Sequence, residues 1–199
     1  MADDVELIRL EPKGLHVYRN RGVAHPARGD LGRSIARYSK IIMLDPKDDD
    51  AYFRRGIANF YAGSLPKALA DISQASELDP KYAYYALWRD LIARRSNLAS
   101  QLARAAAHFD MTKWPAPVVR LFLGQTTPAA VLAAANDPDG STKKEQVCEA
   151  NFYTGELALQ RGAKEEAARL FRLAAADCPH DIVEGPAAYA ELMALGASL

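Results

Sequence analysis

Cysteine occurs only twice in the 199 residues and histidine four times, so neither a metal cluster nor a dense disulfide framework can hold this chain together. A chain of this length buries a sufficient apolar core without such staples. Excess charge of one sign is missing as well, because 25 lysines and arginines face 25 acidic residues. No net field exists to recruit nucleic acid or an anionic membrane, and charge-driven recognition has to be local. Long apolar runs are absent too. None approaches the roughly 18 residues of a membrane-spanning helix, so insertion of this chain into a bilayer is not expected. The opening Met1–Pro12 has neither a basic start nor an apolar stretch, and no signal peptide is expected within it.

Catalytic signatures are equally scarce. His16, His25, His108 and His180 show no metal-ligand spacing, and none stands in a helical HExxH phrase. No glycine-rich phosphate loop, nucleophile elbow or paired-carboxylate motif occurs. A non-catalytic protein without metal or cofactor is the expectation.

What the chain does have is a period. Pro12, Pro46 and Pro80 are 34 residues apart, and Leu10-Glu11, Leu44-Asp45 and Leu78-Asp79 travel with them. Gly22 and Gly56, Gly29 and Gly63, Tyr18 and Tyr52, and Leu31 and Leu65 keep the same offset. A further copy comes late, where Gly155 precedes Pro179 by the same 24 residues that separate Gly22 from Pro46 and Gly56 from Pro80. Each feature has a mechanical reading. The first glycine is a notch where the two helices of a pair approach closely. Gly29, Gly63 and Gly162, seven residues on, end the first helix in the left-handed conformation. Ser34, Ala68 and Ala167 keep the second helix thin at the crossing, Tyr38, Ile72 and Phe171 fill the space between neighbours, and the prolines stop the second helix.

These residues resemble the tetratricopeptide repeat. The implied fold is all-α: a right-handed solenoid of antiparallel helix pairs, with a short helical insert and a C-terminal capping helix. Residues 1–14 read as the tail of a truncated repeat, 15–48 and 49–82 as two repeats, 83–110 as a degenerate helix pair in which Asp90 and Asn97 replace the two glycines. Residues 111–147 read as insert and loop, with a helix ending at Gly124, another starting at Thr127-Pro128, a loop over Asn136–Ser141, and a Thr142/Glu145 capping box. Residues 148–179 form the last repeat, and 180–199 carry a helix from about Pro186 to Leu195 that covers the end of the stack.

The order of these parts, with Leu87-Trp88, Val119-Arg120-Leu121-Phe122-Leu123-Gly124, Glu149-Ala150-Asn151-Phe152-Tyr153-Thr154-Gly155, and the closing Val183-Glu184, Ala190-Glu191-Leu192 and Leu195-Gly196, resembles the bacterial NlpI-like lipoproteins. That resemblance implies a periplasmic adaptor, attached to the outer membrane and often dimeric, which brings a C-terminal processing protease together with cell-wall hydrolases. No lipid-acceptor cysteine stands near the start, and the family's N-terminal helices are expected to be shortened here. A cytoplasmic location is the alternative.

In such a solenoid the first helix of each repeat lines a concave face. Arg19, Val23, Phe53, Arg54, Ile57, Phe60, Leu87, Trp88 and Leu91 fall at first-helix positions and are expected to form an apolar, arginine-flanked groove for a protein or peptide segment. Arg21 and Arg55, directly before the notch glycines, read as framework residues. The lysine and asparagine constellation of a carboxylate clamp is replaced by Arg19, Val23, Arg54, Tyr84 and Trp88, so specificity for chaperone tails is not expected. Pro26, late in a first helix, is expected to widen the groove locally. The rival to a scaffold is a self-associating structural module with the same aromatic face buried against a second copy. Finally, Cys148 begins the first helix of the last repeat and Cys178 ends its second, which puts them side by side and able to form a disulfide. Two unrelated small buried residues are the alternative.

Overall fold

The computed structural model describes residues 31–179 and 182–198, and among them the chain forms ten α-helices. They are α1 Leu31–Leu44, α2 Asp49–Tyr61, α3 Leu65–Leu78, α4 Ala83–Arg95, α5 Leu102–Ala105, α6 Ala116–Phe122, α7 Pro128–Ala134, α8 Gly140–Gln160, α9 Lys164–Asp177 and α10 Glu184–Ala194. Helices α1 to α4 pack each on the next, as do α8, α9 and α10, while α6 and α7 fill in against α8. The architecture is a solenoid of helix pairs. Arg19, Val23, Arg21, Gly22, Gly29 and Pro26 lie outside the described residues.

The notch reading has a direct geometric counterpart. A methyl group added at Gly56 would sit 2.6 Å from Ile72 Cδ1, and one at Gly155 would sit 2.8 Å from the Phe171 ring. Ile72 and Phe171 are therefore the side chains that enter the notches, and both are fully buried. Gly63 and Gly162 take φ of +76° and +78° after their first helices, and Asn97 takes φ of 55° at the matching point of the degenerate pair. Asparagine tolerates this conformation better than most residues.

Two readings need correction. The Thr142/Glu145 capping box does not start the last repeat. Asp139 is the N-cap, its Oδ1 accepting from the Thr142 amide at 2.8 Å, and α8 begins at Gly140 within the expected loop. The Asp139 cap starts the helix three residues earlier than a Thr142 cap would, which makes α8 a helix of 21 residues. The degenerate pair is also lopsided. Its first helix is complete, but its second is four residues long before a 3-10 turn at Ala106–His108, where α3 and α9 each have 14.

The two central helices are α4 and α8. Every residue from Cys148 to Glu156 is buried, as are Tyr85 to Trp88 and Asp90 to Ala93. A helix buried on all sides loses the one-faced apolar pattern of a surface helix.

Candidate partner-binding site

The inner helices α2, α4, α8 and α10 converge on Trp88. Its ring lies edge-on to Phe53 at 6.2 Å and Phe60 at 6.1 Å, and stacks on Phe152 of α8 at 5.6 Å. Phe53, Phe60, Leu87, Trp88 and Leu91 are all buried, so they are core and not an open groove lining. Ile57 is half-buried against that core. The physical reason is the curvature of the stack, which brings α8 and α10 onto the inner face of α4. The aromatic surface that would have met a partner meets the chain's own helices.

Polar side chains complete this closure. Glu149 Oε2 on α8 accepts from the Tyr84 hydroxyl at 2.8 Å and from Trp114 Nε1 at 2.6 Å. Glu184 Oε1 on α10 accepts from the Tyr153 hydroxyl at 2.8 Å and from Trp88 Nε1 at 3.3 Å. Arg95, at the far end of α4, meets Glu156 of α8 at 2.7 Å and Glu191 of α10 at 2.9 Å. Three residues of α4 thus hold α8 and α10 along their length. The four acids come in two pairs spaced by seven residues, 149 with 156 and 184 with 191, which is two helical turns on one face. Sequence reasoning passed over them. A signal was present, since each acid stands in a run of otherwise apolar residues.

Two adjoining hollows remain open, and they share Tyr82 and Tyr84. The first, of about 220 Å³, is bounded by Asp50, Phe53 and Arg54 of α2, by Glu145 and Glu149 of α8, and by Ile182, Val183 and Glu184. The second, of about 350 Å³, lies between the start of α4 and the insert, with Phe109, Met111 and Trp114 among its walls and Lys81 and Lys113 beside it. Tyr82 is 44% exposed and forms the edge between them, its ring 5.2 Å from Tyr84 and 4.6 Å from Tyr85.

Electrostatics distinguish the first hollow. Burial, followed by the charge of Glu184, pushes the Glu149 carboxyl up to about 8. Burial also raises Glu184. Burial, then Glu184 and Glu149, pushes the Tyr82 hydroxyl up to about 12. The two carboxyl groups resist being charged together, and a cation placed between them would relieve that. Arg54 lines the same hollow and its charge eases Glu184, but its Nε–H is held by both oxygens of Asp50 at 2.8 and 3.0 Å. The hollow therefore offers acceptors and aromatic faces, the combination that holds an ammonium or guanidinium group.

Other sequence-predicted residues fall elsewhere. Arg55 braces three helices, donating to Asp71 at 2.6 and 2.9 Å and to Ser39 at 3.1 Å. Arg89, one period on, makes the same contact with Ser73 at 3.0 Å. Cys148 and Cys178 form a disulfide with Cα atoms 5.1 Å apart. Gly185 lies against this bridge, since a methyl group there would be 2.8 Å from Cys178 Cβ. Among the described residues no three His, Cys, Asp or Glu side chains are placed to hold a metal ion.

The sequence pattern of the tetratricopeptide repeat family matches residues 19–83 and 145–182, together just over half of the chain. The first match ends where α4 begins. The second runs from early in α8 to just short of α10.

Proposed function

The chain belongs to the tetratricopeptide repeat family, and on that premise we propose that it is a non-catalytic protein-binding scaffold that takes a basic side chain of a partner segment at the Tyr82–Tyr84 end of its inner face. Repeats of this family mediate protein–protein interaction. The observation that carries the placement is the first hollow, where Glu149 and Glu184 meet aromatic walls and Arg54 is already engaged by Asp50. A lysine or arginine there gains carboxyl acceptors and a tyrosine face, and its charge favours the ionised form of the acids. Glu149 and Glu184 are occupied by indole and phenol donors, which supports bracing and binding over proton transfer to a substrate.

The resemblance to NlpI-like lipoproteins extends the proposal to a periplasmic adaptor, working as a dimer, that brings a C-terminal processing protease to cell-wall hydrolases. The Cys148–Cys178 disulfide supports an oxidising compartment. No helix among the described residues is long and apolar enough to cross a membrane. Alkylation of protein taken from its native compartment tests this part alone, and two free thiols would defeat the compartment while leaving the binding reading standing.

The binding reading is tested by selecting a random displayed peptide library on the wild-type protein. Selected sequences should share a lysine or arginine next to an apolar residue. Tyr82→Ala with Glu145→Lys, both at the mouth, should lose those sequences without moving the unfolding midpoint. Selection of no shared motif, or of a motif indifferent to both substitutions, overturns the reading.

A further inference from the structure

We propose that the cleft left by the shortened second helix of the degenerate pair is a docking pocket for one tyrosine or tryptophan side chain of a protein partner. That the ligand belongs to a protein rests on the scaffold reading; the preference for an aromatic hydrogen-bond donor does not.

The cleft lies between α3, α4 and the turn after α4, with a volume of about 250 Å³. In the two complete pairs a side chain sixteen residues on, Ile72 or Phe171, enters the notch of the first helix. Here the notch position is Asp90, and the residue sixteen on is Ala106. The large side chain that enters the other two notches is an alanine here, and Asp90 carries a carboxylate where they carry glycine. The carboxylate is 1% exposed. Its Oδ2 accepts from Arg94 Nε at 2.6 Å, and its Oδ1 has no hydrogen-bond partner among the described residues. A buried carboxylate oxygen without a donor is costly, and Asp90 is one of the residues that line the cleft, so a donor entering there meets the side chain whose oxygen is unpaired.

The walls define the donor. Leu69, Ala86, Ala93 and Leu102 are apolar, and Leu98, 51% exposed, opens the cleft to solvent. Arg89 is committed to Ser73 and Gln101, and its charge on the wall opposes entry of a second cation. The volume holds a large side chain with an apolar body. Tyrosine and tryptophan have that body and one polar hydrogen. The molecule uses this pairing for other carboxylates: Asp49 accepts from Tyr85 at 2.6 Å, and Glu149 and Glu184 accept from tyrosine and tryptophan as described. Aromatic anchors in desolvated pockets also dominate the energetics of protein interfaces.

The test titrates the full chain with p-cresol and 3-methylindole, the isolated side chains, and with toluene, which has the body but no donor. Amide NMR shifts should centre on Ala86, Ala93 and Leu98, and both donor probes should bind at least about tenfold more tightly than toluene, as expected for a hydrogen bond to a charged group. Ala105→Leu, which fills the cleft, should abolish those shifts. If that variant fails to fold, Leu98→Ser removes an exposed wall and should weaken both probes. Absence of localised shifts, equal binding of toluene, or indifference to the substitution overturns the proposal. None of these outcomes bears on peptide capture at Tyr82, so failure here and failure of the scaffold reading are separable.

Discussion

Replacing Trp88 by alanine decides whether the inner face is core or groove. The indole is fully buried, contacts Phe53, Phe60 and Phe152, and donates to Glu184. Burial of an aromatic side chain removes roughly 200 Å² from water, worth about 5 kcal/mol at ~25 cal/mol per Å² as an upper bound. Truncations of buried Trp and Phe to alanine cost about 3 to 5 kcal/mol. Glu184 keeps the Tyr153 hydroxyl as a donor, which limits the polar penalty. We expect a loss of about 4 kcal/mol by urea unfolding, with the midpoint falling and the slope unchanged. For a chain of this size that corresponds to a fall of roughly 8 to 16 °C in Tm. Trp88→Phe, which keeps a ring but drops the N–H, should lose about half as much. A loss under about 1 kcal/mol, accompanied by loss of partner capture, would show Trp88 facing solvent and would refute the closed inner face.

Three further outcomes follow. Cys178→Ser opens a bridge between residues 30 apart, and the chain-entropy account gives a loss of about 3 to 4 kcal/mol, read as the difference in unfolding free energy with and without the substitution. Gly155→Ala and Gly56→Ala should each destabilise by about 1 to 3 kcal/mol, because the added methyl group meets the Phe171 ring at 2.8 Å in the first and Ile72 Cδ1 and Cγ1 at 2.6 and 2.8 Å in the second; a neutral effect at either position in unfolding titrations would contradict the notch argument. Glu149 is raised from 4.5 to about 8 in the folded chain, so the folded state holds its proton where the unfolded state has lost it. Its contribution is fully present below pH 4.5 and is lost as pH rises toward 8, and Glu149→Gln should flatten that decline in denaturant titrations; an unchanged slope would show the carboxyl charged in the fold.

Much of the architecture was legible because a period is a local property. Pro46 and Pro80, Gly56 with Ile72, and Gly63 carry the reasons for their own positions: a helix stop, a close crossing, a left-handed turn. The expectation that Cys148 begins a helix fails, because α8 starts at Gly140 and Cys148 is its ninth residue; the antiparallel pairing nevertheless sets it beside Cys178, just past the end of α9. The inner face was not legible, since each first helix shows only which residues are apolar, and the path of the stack decides what they meet. Phe60 and Trp88 look the same in sequence whether they face a partner or α8. The buried acids were readable in principle. Glu149, Glu156, Glu184 and Glu191 each need a donor in an apolar setting, and Tyr84, Trp88 and Arg95 on α4 have the complementary spacing. Asp139 and Thr142 both fit the capping pattern in sequence, and only the backbone path shows that the helix starts after the first of them.

Closure of the inner face constrains how this scaffold can recognise anything. A segment threading along the concave side would have to part α4 from α8 and α10. That would strand Glu149, Glu184 and the Arg95 triad away from their partners, at about 1 to 3 kcal/mol for each buried polar group left unsatisfied, before any loss of aromatic contact. A micromolar complex has only about 8 kcal/mol in total. The opening would consume most of it. Binding at the rim avoids that cost, because Tyr82 is already exposed and the hollow beside it already exists. The same acids that exclude a ligand from the centre are the ones that present acceptors at the edge. On the proposed reading, a partner at the inner face therefore engages where the aromatic layer ends, at the first turn of α4, through one cation and not an extended strand.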